Sequence, residues 1–345
     1  MSERFSAKFE ALLVEAQSRG ASDLHLLPGE PPTLRVDGVL ERGEGEPLSS
    51  KEIAELAEAV LALGNLDCIG RGVAEFHKSI AIGEVAARIC VSRACGDLTL
   101  AARLLPTCVP DVERLAVPKG LVDALSSPSG LIVVSGRIGS GKSTTAYSLI
   151  DHINANHQAN IATVEDPIMY RLTPKRSLLQ QREVGVDVPD IISGIRVPML
   201  SDADVVFVSE IASLEVLQAC LGVADTGYLV ITVMRADSPE AAIQRLVDVF
   251  AEDAREMMRR ELSRALRCVS CQRLLPKANG PGRVAAYGVL VPDEEMRAAI
   301  AEGRDVLARR SPLPEGCLSR QAEIERMARE GIISEETAKS FLAGI

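Results

Sequence analysis

Leu131-Ile-Val-Val-Ser135-Gly136-Arg-Ile-Gly139-Ser140-Gly141-Lys142-Ser143-Thr144 is the stretch that decides the fold. Leu131–Ser135 is a short apolar run of strand type, and Thr144–Asn154 reads as a helix. Between them lies the spacing Gly-x-x-x-x-Gly-Lys-Ser, in which glycines let backbone N–H groups converge on phosphate oxygens at a helix N-terminus. In that arrangement Gly136, Gly139, Ser140, Gly141 and Thr144 line the cradle, Lys142 reaches the β- and γ-phosphates, and Ser143 ligates Mg²⁺. The strand, loop and helix context agree, so a chance glycine-rich turn is a poor account.

Working outward, Ile161–Val164, Val205–Val208 and Leu229–Val233 are further apolar runs separated by helical stretches. That alternation indicates a parallel sheet buried on both faces. Two strand ends carry carboxylates where ligands of such sheets bind: Glu210 after Val205–Val208, and Glu165-Asp166 after Ile161–Val164. Either is placed to orient a water or the metal. No Asn-Lys-x-Asp guanine-reading motif occurs, which favours adenine. Residues 251–275 read as one helix with Met257, Leu262 and Leu266 inward, placing the pair Cys268 and Cys271 on it. Ser319–Leu342 reads as a helical hairpin broken near Gly331, with Ser334 capping the last helix.

The first hundred residues have a different, α+β grammar. An amphipathic helix over 2–19 presents Phe9, Leu12, Leu13 and Ala16, and Gly20 ends it. Short strands follow at 24–27 and 34–36, the latter meeting the turn signal Asp37-Gly38. Ser49 with Glu52 forms a capping box that opens a helix with Ile53, Leu56 and Val60 inward. Alternating segments at 79–91 and 97–104 complete the unit. Pro106, Pro110 and Pro118 mark a linker, so the expected division is 1–105, a linker over 106–118, and 119–345.

With 345 residues, 47 % apolar and 25 % charged, the chain has an ordinary globular composition and a length that suits two domains. No apolar run approaches the length of a membrane span, and the charged start lacks a signal-peptide core, so a cytoplasmic protein without membrane insertion is expected. A net charge of −10 argues against nucleic acid as a partner. The eight cysteines are scattered and read as reduced, mostly core residues, and the lone Cys-x-x-Cys lacks the further ligands that zinc needs.

The chain resembles the secretion ATPases of type IV pili and type II secretion, and within them the pilus retraction ATPases. The residues that carry the resemblance span nearly its whole length. They are Ala21-Ser-Asp-Leu-His-Leu with Pro32-Thr-Leu-Arg-Val-Asp-Gly, the phosphate loop (Walker A), Val164-Glu-Asp-Pro-Ile (the Asp box), Gln181-Arg-Glu-Val-Gly, Asp204–Glu210 (Walker B), Gln244-Arg-Leu-Val-Asp-Val-Phe and Glu330-Gly-Ile-Ile-Ser-Glu-Glu-Thr-Ala. The resemblance implies an α/β protein: a PAS-like amino-terminal domain, then a RecA-like P-loop domain with a mostly parallel sheet and a helical carboxyl-terminal end. It also implies ATP and Mg²⁺, the latter held by Ser143 and Glu210, and Arg88 and Arg103 reaching the phosphates. A ring of six, homomeric or mixed, working with an inner-membrane platform protein is the implied assembly.

The chain departs from the family around the phosphates. Met169 stands where the Asp box carries a second glutamate, and Thr232-Val-Met234-Arg235-Ala-Asp contains no histidine where the family's His box has one, with Met234 read as its replacement. Arg196 is followed by Leu200 in place of a second arginine, with Pro198 interrupting the helix; Ala212 replaces another arginine. The retraction-linked Ala-Ile-Arg-Asn-Leu-Ile motif appears as Glu295-Met-Arg-Ala-Ala-Ile300. Two functions fit: a motor that hydrolyses ATP to drive pilin filament retraction or assembly, with Glu165 and Glu210 catalytic, or an ATP-binding, hydrolysis-poor regulatory paralogue. A small-molecule kinase would leave the amino-terminal unit unexplained.

Overall fold

The computed structural model describes residues 2–36, 39–62, 75–82, 85–105, 108–280, 282–306 and 313–343. The Asp37-Gly38 turn, Pro106 and the side chain of Val60 lie outside the described residues. The chain forms two compact units, one of residues 1–108 with 169–171, the other of 109–168 with 172–345.

The first unit is an antiparallel sheet of β1 (Ala21–Leu26), β2 (Thr33–Val36), β3 (Val39–Arg42), β4 (Glu75–Ile82), β5 (Val85–Ala94) and β6 (Asp97–Leu105), in the order β3-β2-β1-β6-β5-β4. Its helices are α1 (Ser2–Ser18) and α2 (Ser50–Ala62). Phe9, Leu13 and Ala16 of α1 meet Ile53, Leu56 and Ala57 of α2 and the alternate residues Val85, Ala87, Ile89 and Val91 of β5 in one core, with Leu12 partly buried at its edge. Each Phe, Leu, Ile or Val side chain among them contributes about 1.5–3 kcal/mol on leaving water. The capping box forms: Glu52 accepts from the Ser49 N–H at 2.9 Å, and the Ser49 hydroxyl accepts from the Glu52 N–H at 3.2 Å.

The second unit is built on a seven-stranded sheet ordered β13-β12-β7-β11-β10-β8-β9. Its strands are β7 (Gly130–Gly136), β8 (Asn160–Glu165), β9 (Leu178–Glu183), β10 (Val205–Val208), β11 (Leu229–Met234), β12 (Leu266–Pro276) and β13 (Arg283–Leu290). All pairings are parallel except β12 with β13. β7, β10 and β11 are buried along their whole length, as the apolar runs require. Short α3 (Lys119–Asp123) precedes β7, and α4 (Lys142–Asn156) follows it. The main core lies where β10, β11 and β12 meet α5 (Ile191–Leu200), α6 (Leu214–Asp225), α7 (Pro239–Asp248), α8 (Arg255–Ala265) and α9 (Glu294–Glu302). α10 (Arg320–Arg329) and α11 (Glu335–Leu342) form the terminal hairpin, where Ser334 accepts from the Thr337 N–H; Ile324, Met327 and Ile333 close a smaller core on Leu275 and Ala286.

Three readings are corrected. The helix expected over 251–275 ends at Ala265, and Leu266–Pro276 is a strand between β7 and β13, so Cys268 and Cys271 are strand residues. Pairing on both sides decides this, since a short run with no break signal before it reads as helix locally. The buried face of α8 carries Met258, Leu262 and Ala265, whereas Met257 is 61 % exposed, because the helix phase is set chiefly by its packing on α9, with α6 and α7 beside it. Pro198 does not break α5, which runs on to Leu200; only its own N–H, which would have bonded the Gly194 carbonyl, is missing from the helix. Among the described cysteines Cys220, Cys268 and Cys271 are buried, while Cys95 and Cys108 are exposed.

The capping box sets a pH dependence. Lys8 first, then the Ser49 groups, hold the Glu52 carboxyl at about 2, below its ordinary 4.5. A depressed folded-state value means its stabilisation is present above the unfolded value and lost as pH falls through the folded one, here from about 4.5 towards 2. Urea unfolding of the full chain should therefore show Glu52→Gln less stable than the parent at pH 6, with the difference shrinking through that window. A constant difference would mean the carboxylate charge is irrelevant.

Candidate nucleotide site

β7 delivers the chain into the loop 136–141 at the carboxyl-terminal rim of the sheet, and Gly141 is the cap residue before α4. Gly136 adopts φ 149°, and a Cβ there would lie 2.4 Å from Ser140 Oγ and 2.6 Å from the Gln272 carbonyl oxygen. Only glycine fits such a position. Gly139 and Gly141 also have positive φ, at 75° and 86°. Ser143 and Thr144 follow Lys142 in the first turn of α4, where unpaired N–H groups and the helix dipole favour an anion. The loop is held from within and from below. Lys142 Nζ donates to the Arg137 carbonyl at 2.8 Å, and Gln272 Nε2 of β12 donates to the Ser140 carbonyl at 2.7 Å. Gln272 Oε1 and Ser140 Oγ are buried with no hydrogen-bond partner among the described residues, two polar atoms left at the floor of the loop. At its outer side Arg137 Nε pairs with Asp237 Oδ1 at 2.5 Å, holding that carboxyl below the usual range.

Glu210 follows β10 on the same rim. Its Oε1 accepts from Arg235 Nε at 3.1 Å. The Lys142 amine sits close enough for both charges to act on it: burial lowers its pKa, the Glu210 carboxylate opposes that, and the Arg235 charge adds to it. Lys142, Ser143, Glu210 and Arg235 thus share one edge of the second unit.

Glu165 is arranged differently. It is fully buried at the end of β8. It accepts from Tyr147 Oη, from Thr163 Oγ1 at 2.5 Å and from Gln181 Nε2 at 3.1 Å. This carboxylate ties α4, β8 and β9 together, a positioning job distinct from that of Glu210. Arg88 and Arg103 lie in the first unit as direct cross-strand partners, and Arg103 Nε is held by Asp23 Oδ1 at 2.8 Å.

Met234 is corrected as the position standing in for the His-box histidine. It is 4 % exposed and packs in the main core, so it faces away from the rim. The next residue, Arg235, is the one that reaches Glu210. Gln272 was missed by the sequence reading because its strand was read as helix; the compact run Leu266–Gln272 before Arg273 was the available signal.

Residues 114–284 match the family described as type II/IV secretion system protein. The type IV pilus retraction ATPase PilT of Pseudomonas aeruginosa is 32 % identical over 338 residues, covering 95 % of this chain and 96 % of that protein. The chain belongs to the type II/IV secretion system protein family. A crystal structure of the pilus retraction motor PilT with bound ADP superposes with a TM-score of 0.84 at 31 % identity, covering 95 % of both chains. The uncharacterized protein YggR of Escherichia coli is 32 % identical over 296 residues, 86 % of this chain and 89 % of that one. The ATPase DotB of Legionella pneumophila shares the fold, with a TM-score of 0.79 at 23 % identity over 98 % of this chain and 96 % of that one. As a type II/IV secretion system protein the chain has the α/β architecture of a RecA-like ATPase, and no described helix is long and apolar enough to cross a membrane.

The brace under the loop is testable. Gln272→Leu leaves the buried Ser140 carbonyl without its donor, which should cost about 1–3 kcal/mol in chemical denaturation. It should also speed amide hydrogen exchange over residues 137–141. Unchanged exchange would show that the loop holds its shape without β12.

Proposed function

We propose that this chain is an ATP-binding motor subunit of a type IV pilus or type II secretion machine, hydrolysing ATP to drive retraction or assembly of a pilin filament. The observation that carries the reading is the joint placement of Lys142, Ser143 and Glu210 on one rim of a phosphate loop. It stands in a chain that matches a retraction ATPase over 96 % of that relative's length. The loop N–H groups and Lys142 hold the β- and γ-phosphates, and Ser143 and Glu210 hold Mg²⁺. Among the described residues no three or more His, Cys, Asp or Glu are grouped so as to hold a metal ion by themselves. One hydroxyl and one carboxylate beside a phosphate cradle nevertheless suit Mg²⁺, which takes few protein ligands and completes its shell with phosphates and water. When bound it neutralises charge on the phosphate oxygens. We place the protein in the cytoplasm, in a ring of six alone or with a related chain, against a platform protein of the inner membrane.

A second reading is favoured by one observation: Glu165 already accepts three side-chain hydrogen bonds and Met169 offers no carboxylate. A positioned base is worth ~10²–10⁴-fold in rate, so the chain binds ATP well and turns it over slowly. Its work in the ring is then regulatory.

Lys142→Ala should weaken ATP binding roughly tenfold or more in calorimetry, as loss of a charge-assisted contact of ~1.5–3 kcal/mol. Unchanged affinity would overturn the loop assignment. In a steady-state assay Met169→Glu should raise turnover with ATP affinity nearly unchanged. Turnover of the unmodified protein at ~1 s⁻¹ or faster, within the ordinary enzyme range, would select the motor over the regulatory subunit.

A further inference from the structure

The final pair of the β7–β11 ladder is Met234 with Ser135, so Arg235 stands level with Gly136, the first residue of the phosphate loop. On the other side β10 pairs with β11 through Val208 and Thr232, and the Ile211 N–H donates to the Val233 carbonyl at 2.9 Å. These bonds set Glu210 beside the end of β11. Met234, buried in the core, anchors the strand end, and Arg245 Nη1 donates to the Arg235 carbonyl at 3.1 Å. The backbone of Arg235 is therefore fixed while its side chain, 55 % exposed, is carried over the rim. Its guanidinium contacts Glu210 through Nε alone, at 3.1 Å, and its Nη groups have no hydrogen bond among the described residues. Glu210 is itself 38 % exposed.

We propose that Arg235 reads the terminal phosphate of bound nucleotide: its guanidinium exchanges the Glu210 carboxylate for the γ-phosphate, so that ATP, and not ADP, releases Glu210. This rests on the ATP-binding reading above and names how that site distinguishes its two nucleotides. An ion pair this exposed is weak. A guanidinium binds phosphate through two parallel N–H···O bonds, and the Nη groups are the ones left to make them. ADP presents nothing at that distance along the loop, so the pair persists with it. The arginine also supplies, from the end of β11, positive charge of the kind that Leu200 and Ala212 do not offer. Exchange frees the carboxylate at the moment a triphosphate is present, which couples the state of Glu210 to the ligand.

Calorimetric titration of the full chain with ADP and with a non-hydrolysable ATP analogue tests this. Arg235→Ala should lower analogue affinity roughly tenfold to a hundredfold while changing ADP affinity by less than about twofold. Arg235→Lys should recover part of the loss, since a point charge replaces the fork. Titrated in EDTA, where its place beside Mg²⁺ does not enter, Glu210→Gln should shift preference the other way, towards the analogue, by removing the competitor. Equal changes for both nucleotides in Arg235→Ala, or none, would overturn the proposal while leaving ATP binding intact. Failure of the unmodified chain to bind either nucleotide would overturn the ATP-binding reading itself.

Discussion

The contact between the start of the phosphate loop and β12 is the constraint on which the rest of the second unit depends. Gly136 passes so close to the Gln272 carbonyl and Ser140 Oγ that no side chain fits, and it does so because β7 is clamped in register between β11 and β12. The loop is thereby turned back over the sheet edge and α4 starts at Lys142, its free N–H groups directed at one point. Had β12 not been present on that side, the loop would have lost both its floor and the donor to Ser140.

The same register decides which charged groups meet. β11 lies between β7 and β10, so the end of one strand brings Arg235 to the loop and to Glu210 together. One residue earlier the side chain points into the core, as Met234 does. The two-residue period of a strand thus separates a packing position from a chemical one. Glu165, one strand farther out, falls on the buried side of that rule. Burying a carboxylate is costly unless its oxygens are satisfied. Tyr147, Thr163 and Gln181 do so, which makes Glu165 a strut between the loop helix and the sheet edge.

These placements connect the family resemblance to its departures. Gly136 is a steric requirement of the cradle, and Gly139 and Gly141 supply its positive φ angles. Met169 and Ala212 carry no charge, whereas Arg235 places one beside Glu210. The proposed nucleotide sensing follows from that one residue and its strand position.

Much of the architecture is legible in the sequence because it rests on local rules. The Walker spacing names the loop and its helix, continuous apolar runs name β7, β8, β10 and β11, and Ser49 with Glu52 names a helix start. Glu210 is legible too, since a carboxylate ending an apolar strand is a local pattern. What local rules cannot carry is pairing between distant segments. Whether 266–276 is helix or strand was decided by β7 and β13, which lie more than a hundred residues before it and just after it. The brace from Gln272 follows from that pairing, the burial of Glu165 from the place of β8 between β10 and β9, the choice of Arg235 over Met234 from the place of β11 between β7 and β10, and the phase of α8 from its packing on α9. The sequence alone determined the phosphate loop and the class of fold. Tertiary structure alone decided which side chains face it, because strand register, and not residue type, sets the direction of each.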